Sequence, residues 1–202
     1  EGRARFGAGT VESHGRLSGR AHDAHAAPAP ARAGLEQERI TRLLSEVEGM
    51  QDPRFGTRPP SGGWAVGHVF EHLARAEENV ARGIEAVSAG KTTLQRRPTD
   101  LFGRLLYRSG LYRLISVRTT AALDPAESPA RVVALARIAA THEQLLAAIE
   151  SGERRGLWSH HLRHPIFGPM TIAEMLAFLA YHEERHRLQI VRIKAALEKA
   201  GK

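Results

Sequence analysis

Thr171-Ile172-Ala173-Glu174-Met175-Leu176-Ala177-Phe178-Leu179-Ala180-Tyr181-His182-Glu183-Glu184-Arg185-His186-Arg187-Leu188-Gln189-Ile190 is the stretch that decides how this chain folds. Thr171 followed three residues later by Glu174 is a capping box, in which each side chain satisfies a free backbone N–H at a helix start. Beyond it, Ile172, Met175, Leu176, Leu179, Ile190, Ile193 and Leu197 recur at helical spacing. The pattern predicts a helix running to about residue 199. His182 and His186 lie about 40° from each other around such a helix, both within about 45° of the centre of the apolar stripe, so both rings point inward. Two imidazoles in an apolar seam need partners, because an unpaired buried polar group costs about 1–3 kcal/mol. A shared metal ion satisfies one nitrogen of each ring at this spacing; a core pair bonded to backbone or carboxylate is the reading that the spacing alone leaves open. Glu183, about 55° from the stripe centre, is the candidate catalytic or ligand-orienting acid, against the plainer reading of a helix charge paired with Arg187. Gln189 is placed to orient a ligand or substrate.

Working outward, breakers at Pro59-Pro60 and Gly62-Gly63 precede a second helical pattern over residues 64–89, ended by Gly90. It too carries histidines four apart. Against the stripe Val66, Val69, Phe70, Leu73, Ala76, Val80, Ile84 and Val87, His72 falls roughly 90° from the centre and His68 roughly 130°. His72 is expected to border the core and His68 to lean to solvent. A third helix is predicted from an N-cap at Ser128 and Pro129 in the first turn, ending before Gly152; His142 lies on its apolar stripe as a ligand-supporting or plain core residue. Residues 35–50 form the first helix, with Ile40, Leu43, Leu44 and Val47 on one face. A shorter interrupted helix occupies residues 101–119, and residues 152–169 read as a long loop holding Trp158, His160, His161 and His164. No strand pattern is evident. The expected class is all-α: a four-helix bundle with an extra short helix between the second and third.

The 202 residues suit a single domain, residues 35–202, preceded by a tail over residues 1–34 that is rich in Gly, Ala, Arg, His and Pro and too poor in large apolar residues to order itself. With 42% hydrophobic and 25% charged residues a core can form, and no window approaches the roughly 18 consecutive apolar residues of a membrane span. The expected location is the cytoplasm. Cysteine is absent, which excludes disulfides, thiolate metal sites and a Cys nucleophile and leaves histidine and carboxylate as the strong metal ligands. Twenty-nine Lys and Arg against 22 Asp and Glu leave +7 with histidine neutral. Most of that surplus lies in Lys91, Arg96, Arg97, Arg104, Arg108, Arg113 and Arg118, against the single acid Asp100. Interleaved with Phe102, Tyr107 and Tyr112, this strip reads as a solvated helix face with an apolar underside, as a phosphate-binding surface, or as a rim that steers an anionic cofactor. Trp64 and Trp158 are either core plugs or pocket walls.

Gly63-Trp64 followed by Glu71-His72-Leu73, then His164-Pro165-Ile166-Phe167-Gly168-Pro169-Met170-Thr171, then His182-Glu183-Glu184-Arg185-His186, resembles the DinB-like superfamily of metal-binding four-helix bundles over about residues 36–199. The resemblance implies a divalent ion held by His72, His182 and His186, and gives no ligand role to His68 or His142; zinc or nickel is the expected metal, although imidazole suits iron and copper as well. It also implies either a transferase using a low-molecular-weight thiol or a hydrolase, acting on small electrophiles. Taken from the residues alone, an open histidine-ligated ion suits metal-assisted nucleophilic transfer. The expected partner is a small-molecule substrate, with a homodimer as an option and neither nucleic acid nor membrane. The alternative is a non-enzymatic binding module in which the histidines are structural and the basic strip meets nucleic acid or a protein.

Overall fold

The computed structural model describes residues 29–91, 100–113 and 123–201. In chain order they form α1 (Ala29–Ser45), α2 (Asp52–Gly56), α3 (Val66–Ser88), α4 (Asp100–Arg108), a 3-10 turn (Leu111–Arg113), α5 (Arg131–Arg154), a second 3-10 turn (Leu157–Ser159), β1 (His161–His164), β2 (Gly168–Thr171) and α6 (Ile172–Ala200). The long helices α1, α3, α5 and α6 make a four-helix bundle. α3 packs against α5 and α6, and α1 against the same two, so α1 and α3 are diagonal, as are α5 and α6. The histidine-bearing helices α3 and α6 are therefore neighbours.

Local chemistry accounts for the helix ends. At α6, Glu174 N–H donates to Thr171 Oγ1 (3.1 Å) while Thr171 N–H donates to Glu174 Oε2 (2.8 Å), the expected reciprocal cap. Gly90 follows α3 at φ 67°, with Lys91 N–H bonded back to Ala86 O, the left-handed exit that glycine tolerates best. α1 begins at Ala29, inside the stretch that composition assigns to the tail; Ala-Pro-Ala-Arg-Ala suits a first turn, where proline costs no hydrogen bond. Residues 1–28 lie outside the described residues, as do Arg96, Arg97 and Arg118 of the basic strip.

Two expectations need correction. α5 starts at Arg131 with Ala130 at the cap position and no side-chain cap bond. Ser128 instead abuts α3 at Gly67, where an added Cβ would come 2.1 Å from Ser128 Oγ and 3.0 Å from Pro129 O. Gly67→Ala is thus expected to cost about 1–3 kcal/mol, read as a lower urea midpoint; an unchanged midpoint would mean that the 128–130 segment moves away freely. The predicted loop over 152–169 contains an antiparallel hairpin, β1 paired to β2 from His161↔Thr171 to His164↔Gly168. Four-residue strands are too short for alternation to register, and the pairing rather than the pattern fixes them. α5 is long and apolar enough by composition to cross a membrane, although no 18-residue run is unbroken; here it packs along α3 and α1 in the bundle.

The core divides into two apolar clusters. One gathers Phe55, Val69, Phe70, Leu73, Ile138 and Ile190, and the other gathers Ile84, Leu145, Ile149, Phe167, Met170 and Leu179. Between them α5 contributes Thr141 and His142, and α6 contributes His182, Glu183 and His186. A polar waist thus interrupts an otherwise dry bundle.

Candidate metal centre

His72 projects from α3 and His182 and His186 from successive turns of α6, and their Nε2 atoms meet. His72 Nε2 lies 3.0 Å from His182 Nε2, and His186 Nε2 lies 3.2 Å from His182 Nε2. The ring centroids are 4.5–4.9 Å apart. Two nitrogens each about 2.0–2.1 Å from one cation and about 90–109° apart around it would sit roughly 2.8–3.4 Å from each other. The observed separations fall in that interval.

The far sides of the rings fix which nitrogen is bare. His72 Nδ1–H donates to Leu123 O (2.9 Å) and His186 Nδ1–H donates to Gln189 Oε1 (2.8 Å). Both Nε2 atoms therefore present lone pairs to the shared point, the outer-partner arrangement of metal-bound histidines. His182 has one ring proton to offer between two lone pairs, and its own Nδ1 is buried without a partner. Without a cation the arrangement is short of hydrogen bonds; with one, all three Nε2 lone pairs are used. The donor set fits a divalent metal.

Burial keeps the rings neutral. Desolvation lowers the His72 pKa and sends that of His182 well below the usual value, helped at His182 by the charges of His186 and His72. His186 is pushed down to about 3, chiefly by desolvation and then by His72. Neutral imidazole is the ligand form. His72 is buried while His182 and His186 are partly exposed. Trp64 lies against it, its ring 4.9 Å from His72 and 6.1 Å from His186. Phe178 flanks His182 at 5.8 Å and Tyr112 stands edge-on to Tyr181. Trp64 is therefore a wall of the site, while Trp158 packs on the core and bonds Glu153.

Other residues singled out in the sequence sit elsewhere. His68 is buried, contrary to expectation: its Nδ1 accepts Ala65 N–H (3.2 Å) and its Nε2 lies 3.1 Å from the Arg58 guanidinium. The preceding loop covers a helix face that an isolated helix would leave wet. His142 is a core residue, Nδ1 3.3 Å from Glu77 Oε1. Glu183 is buried beside Glu36 and Glu77 and bonds the latter, and among the described residues no hydrogen bond joins it to the triad. It does not pair with Arg187, which is taken by Glu184 and Glu46. On α4, Arg104 and Arg108 are exposed, and Gly103 and Tyr107 face the protein, but Leu101, Phe102 and Leu105 are exposed too, so the apolar side is only half covered.

His164 holds the hairpin turn. Its Nδ1 accepts the N–H groups of Ile166 and Phe167, both at 3.1 Å, and its ring stacks on Phe167. Desolvation lowers its pKa to about 4, and a protonated Nδ1 would lose both bonds. The unfolded chain takes up the proton below pH ~6.5 and the folded chain only near 4, so this stability is complete above ~6.5 and is lost as pH falls toward 4. The slope is at most about 1.4 kcal/mol per pH unit. Urea denaturation of chelated protein should show a shallower acid slope in His164→Gln than in wild type; equal slopes would remove His164 from the account.

A sequence model of the DinB superfamily matches residues 35–190. The chain belongs to the DinB superfamily. YuaE of Bacillus subtilis (strain 168), described as uncharacterized, is 23% identical over 159 residues, covering 77% of this chain and 93% of that protein. YfiT from Bacillus subtilis, described as a probable metal-dependent hydrolase with an unusual four-helix bundle topology, superposes with a TM-score of 0.56 at 18% identity, over 94% of this chain and 95% of its own. That likeness shows a shared four-helix bundle fold.

Proposed function

We propose that the chain holds one divalent cation, zinc or nickel, through Nε2 of His72, His182 and His186 and carries out nucleophilic transfer to a small electrophile. Water as nucleophile makes it a hydrolase, and a low-molecular-weight thiol makes it an S-transferase. The observation that carries this reading is the meeting of the three Nε2 atoms, 3.0 and 3.2 Å apart, from two helices. The description of YfiT as a probable metal-dependent hydrolase supports it. Three protein ligands leave positions for non-protein groups, the pattern of catalytic rather than structural sites.

A divalent cation bound there supplies Lewis acidity, which lowers the pKa of an added water or thiol and polarises an electrophile. The chain's own residues do the rest. Leu123 O and Gln189 hold two rings in the ligating tautomer. Trp64 and Phe178 flank the rings and exclude water beside them. The charge of Arg185 bears on both His182 and His186 and favours an anionic nucleophile at the site.

Elemental analysis of tag-free protein reconstituted with zinc or nickel, coupled to ester hydrolysis and to conjugation of a generic electrophile with a panel of bacterial thiols, tests the proposal. About one ion per chain and a turnover abolished by chelation are expected. A metal content near zero, or turnover indifferent to chelation in both assays, would overturn it.

A further inference from the structure

Beside the triad, the polar waist contains a second group of chemistry-bearing side chains, one from each long helix: Glu36 on α1, Glu77 on α3, His142 on α5 and Glu183 on α6. All four are buried, between 1% and 8% exposed. Glu77 is well served, with Thr141 Oγ1 3.1 Å from Oε2 and His142 Nδ1 3.3 Å from Oε1. Arg39 is bonded to Glu36 Oε1. Glu36 Oε2, His142 Nε2 and Glu183 Oε1, by contrast, are each shut off from solvent with no hydrogen-bond partner.

These three atoms share one chemical character. Because His142 Nδ1–H is directed at the Glu77 carboxylate, its Nε2 carries a bare lone pair, as in carboxylate–histidine–metal arrangements. The other two are carboxylate oxygens. Glu36, Glu77 and Arg39 all act electrostatically on Glu183, and Glu77 acts on Glu36, so the carboxyls lie within electrostatic reach of one another inside the bundle. Glu183, whose carboxyl burial pushes well above the usual range, also bonds Glu77, yet the three orphaned atoms stay unserved, and each is worth about 1–3 kcal/mol. A cation satisfies all three at once, and inward-projecting Glu and His side chains on facing helices are how bundles build metal sites.

We propose that Glu36 Oε2, His142 Nε2 and Glu183 Oε1 form a second cation site in the waist, distinct from the histidine triad, with Glu77 as the residue that orients His142. Two carboxylates and one imidazole select a harder divalent ion than the all-imidazole triad does, namely manganese or ferrous iron. Among the described residues only the triad already gathers three donor atoms within 4.8 Å of one another, so uptake at the second site draws the two flexible glutamate side chains together. Nothing in this proposal depends on the triad holding a metal.

The test uses Mn2+ and the tag-free full chain carrying His186→Ala, which disables the triad. Titration followed by the loss of the free Mn2+ paramagnetic resonance signal should give one bound ion per chain. Adding Glu36→Gln and Glu183→Gln should weaken that binding by at least a hundredfold, and adding Glu77→Gln instead should weaken it about 10- to 100-fold. Glutamine keeps the volume, and circular dichroism confirms that each variant is folded. No Mn2+ bound to folded His186→Ala protein, or binding untouched by the double glutamine change, overturns the second site and indicates a hydrated polar waist. Failure of the triad would show differently, as unchanged zinc or nickel content in His186→Ala.

Discussion

His186→Ala is expected to reduce bound zinc or nickel from about one ion per chain to near zero and to abolish the metal-dependent turnover. His186 supplies one of three Nε2 atoms, so its loss leaves two ligands on a site open to water. Removing an outer partner of a metal ligand typically costs 10- to 100-fold in affinity, and removing a ligand itself should exceed that, by about a hundredfold or more. Two companion changes calibrate the result. Gln189→Leu keeps the ring but removes the acceptor 2.8 Å from His186 Nδ1, and should weaken the ion by about 10- to 100-fold while the protein stays folded. His68→Ala should leave metal content unchanged yet lower stability by about 0.5–2 kcal/mol, the usual worth of a helix N-terminal cap, since His68 Nδ1 accepts Ala65 N–H at the start of α3. Competition titration against a chromogenic chelator reads the metal affinity of all three, and urea denaturation reads the stability loss in His68→Ala. Retention of a full equivalent of tight metal by His186→Ala would show that the three rings do not act as a ligand set.

The inward placement of His182 and His186 was legible because one helix carries both the histidines and the apolar stripe that orients them, and a capping box dates its start. Gly90 was legible for the same reason: its signal is local. His68 was not, because what buries it is Arg58, ten residues earlier across a turn, and a helical projection has no term for a loop folding over the polar side. Glu183 and Arg187 have the spacing of a surface ion pair, but Arg187 finds Glu184 on its own helix and Glu46 beyond α1, leaving Glu183 to the interior. Trp64 gave only the ambiguous signal of an aromatic at a helix entrance; its packing on two histidine rings depends on how α3 meets α6. The hairpin escaped because strand pairing between residues 161–164 and 168–171 is a relation between two short segments, neither of which has a period of its own.

Phe167→Ala is expected to destabilise the protein by about 3–5 kcal/mol, the range for truncating a buried aromatic. Phe167 is 2% exposed and meets Tyr107, Tyr112, His164 and Phe178 at ring-centroid distances of 4.4–5.6 Å. It joins α4, the hairpin and α6, and the close seating of Gly103, whose added Cβ would lie 2.4 Å from Ile166 O, leaves little room for that junction to collapse into a cavity. Chemical denaturation of chelated protein should show the loss, and a change under 1 kcal/mol would mean the hairpin is not part of the folded core. The triad should nevertheless survive in the fraction that folds, with affinity lowered by no more than about tenfold. Phe167 meets the site's rings through Phe178, whereas His72 is held by Leu123 O, His186 by Gln189, and α3 and α6 by Phe70, Leu73 and Ile190 in the other apolar cluster. A polar waist between two separate clusters lets one end of the bundle weaken while the ligand-bearing segments of α3 and α6 stay in register, so stability and metal affinity should part company in this variant as they would not in Ile190→Ala.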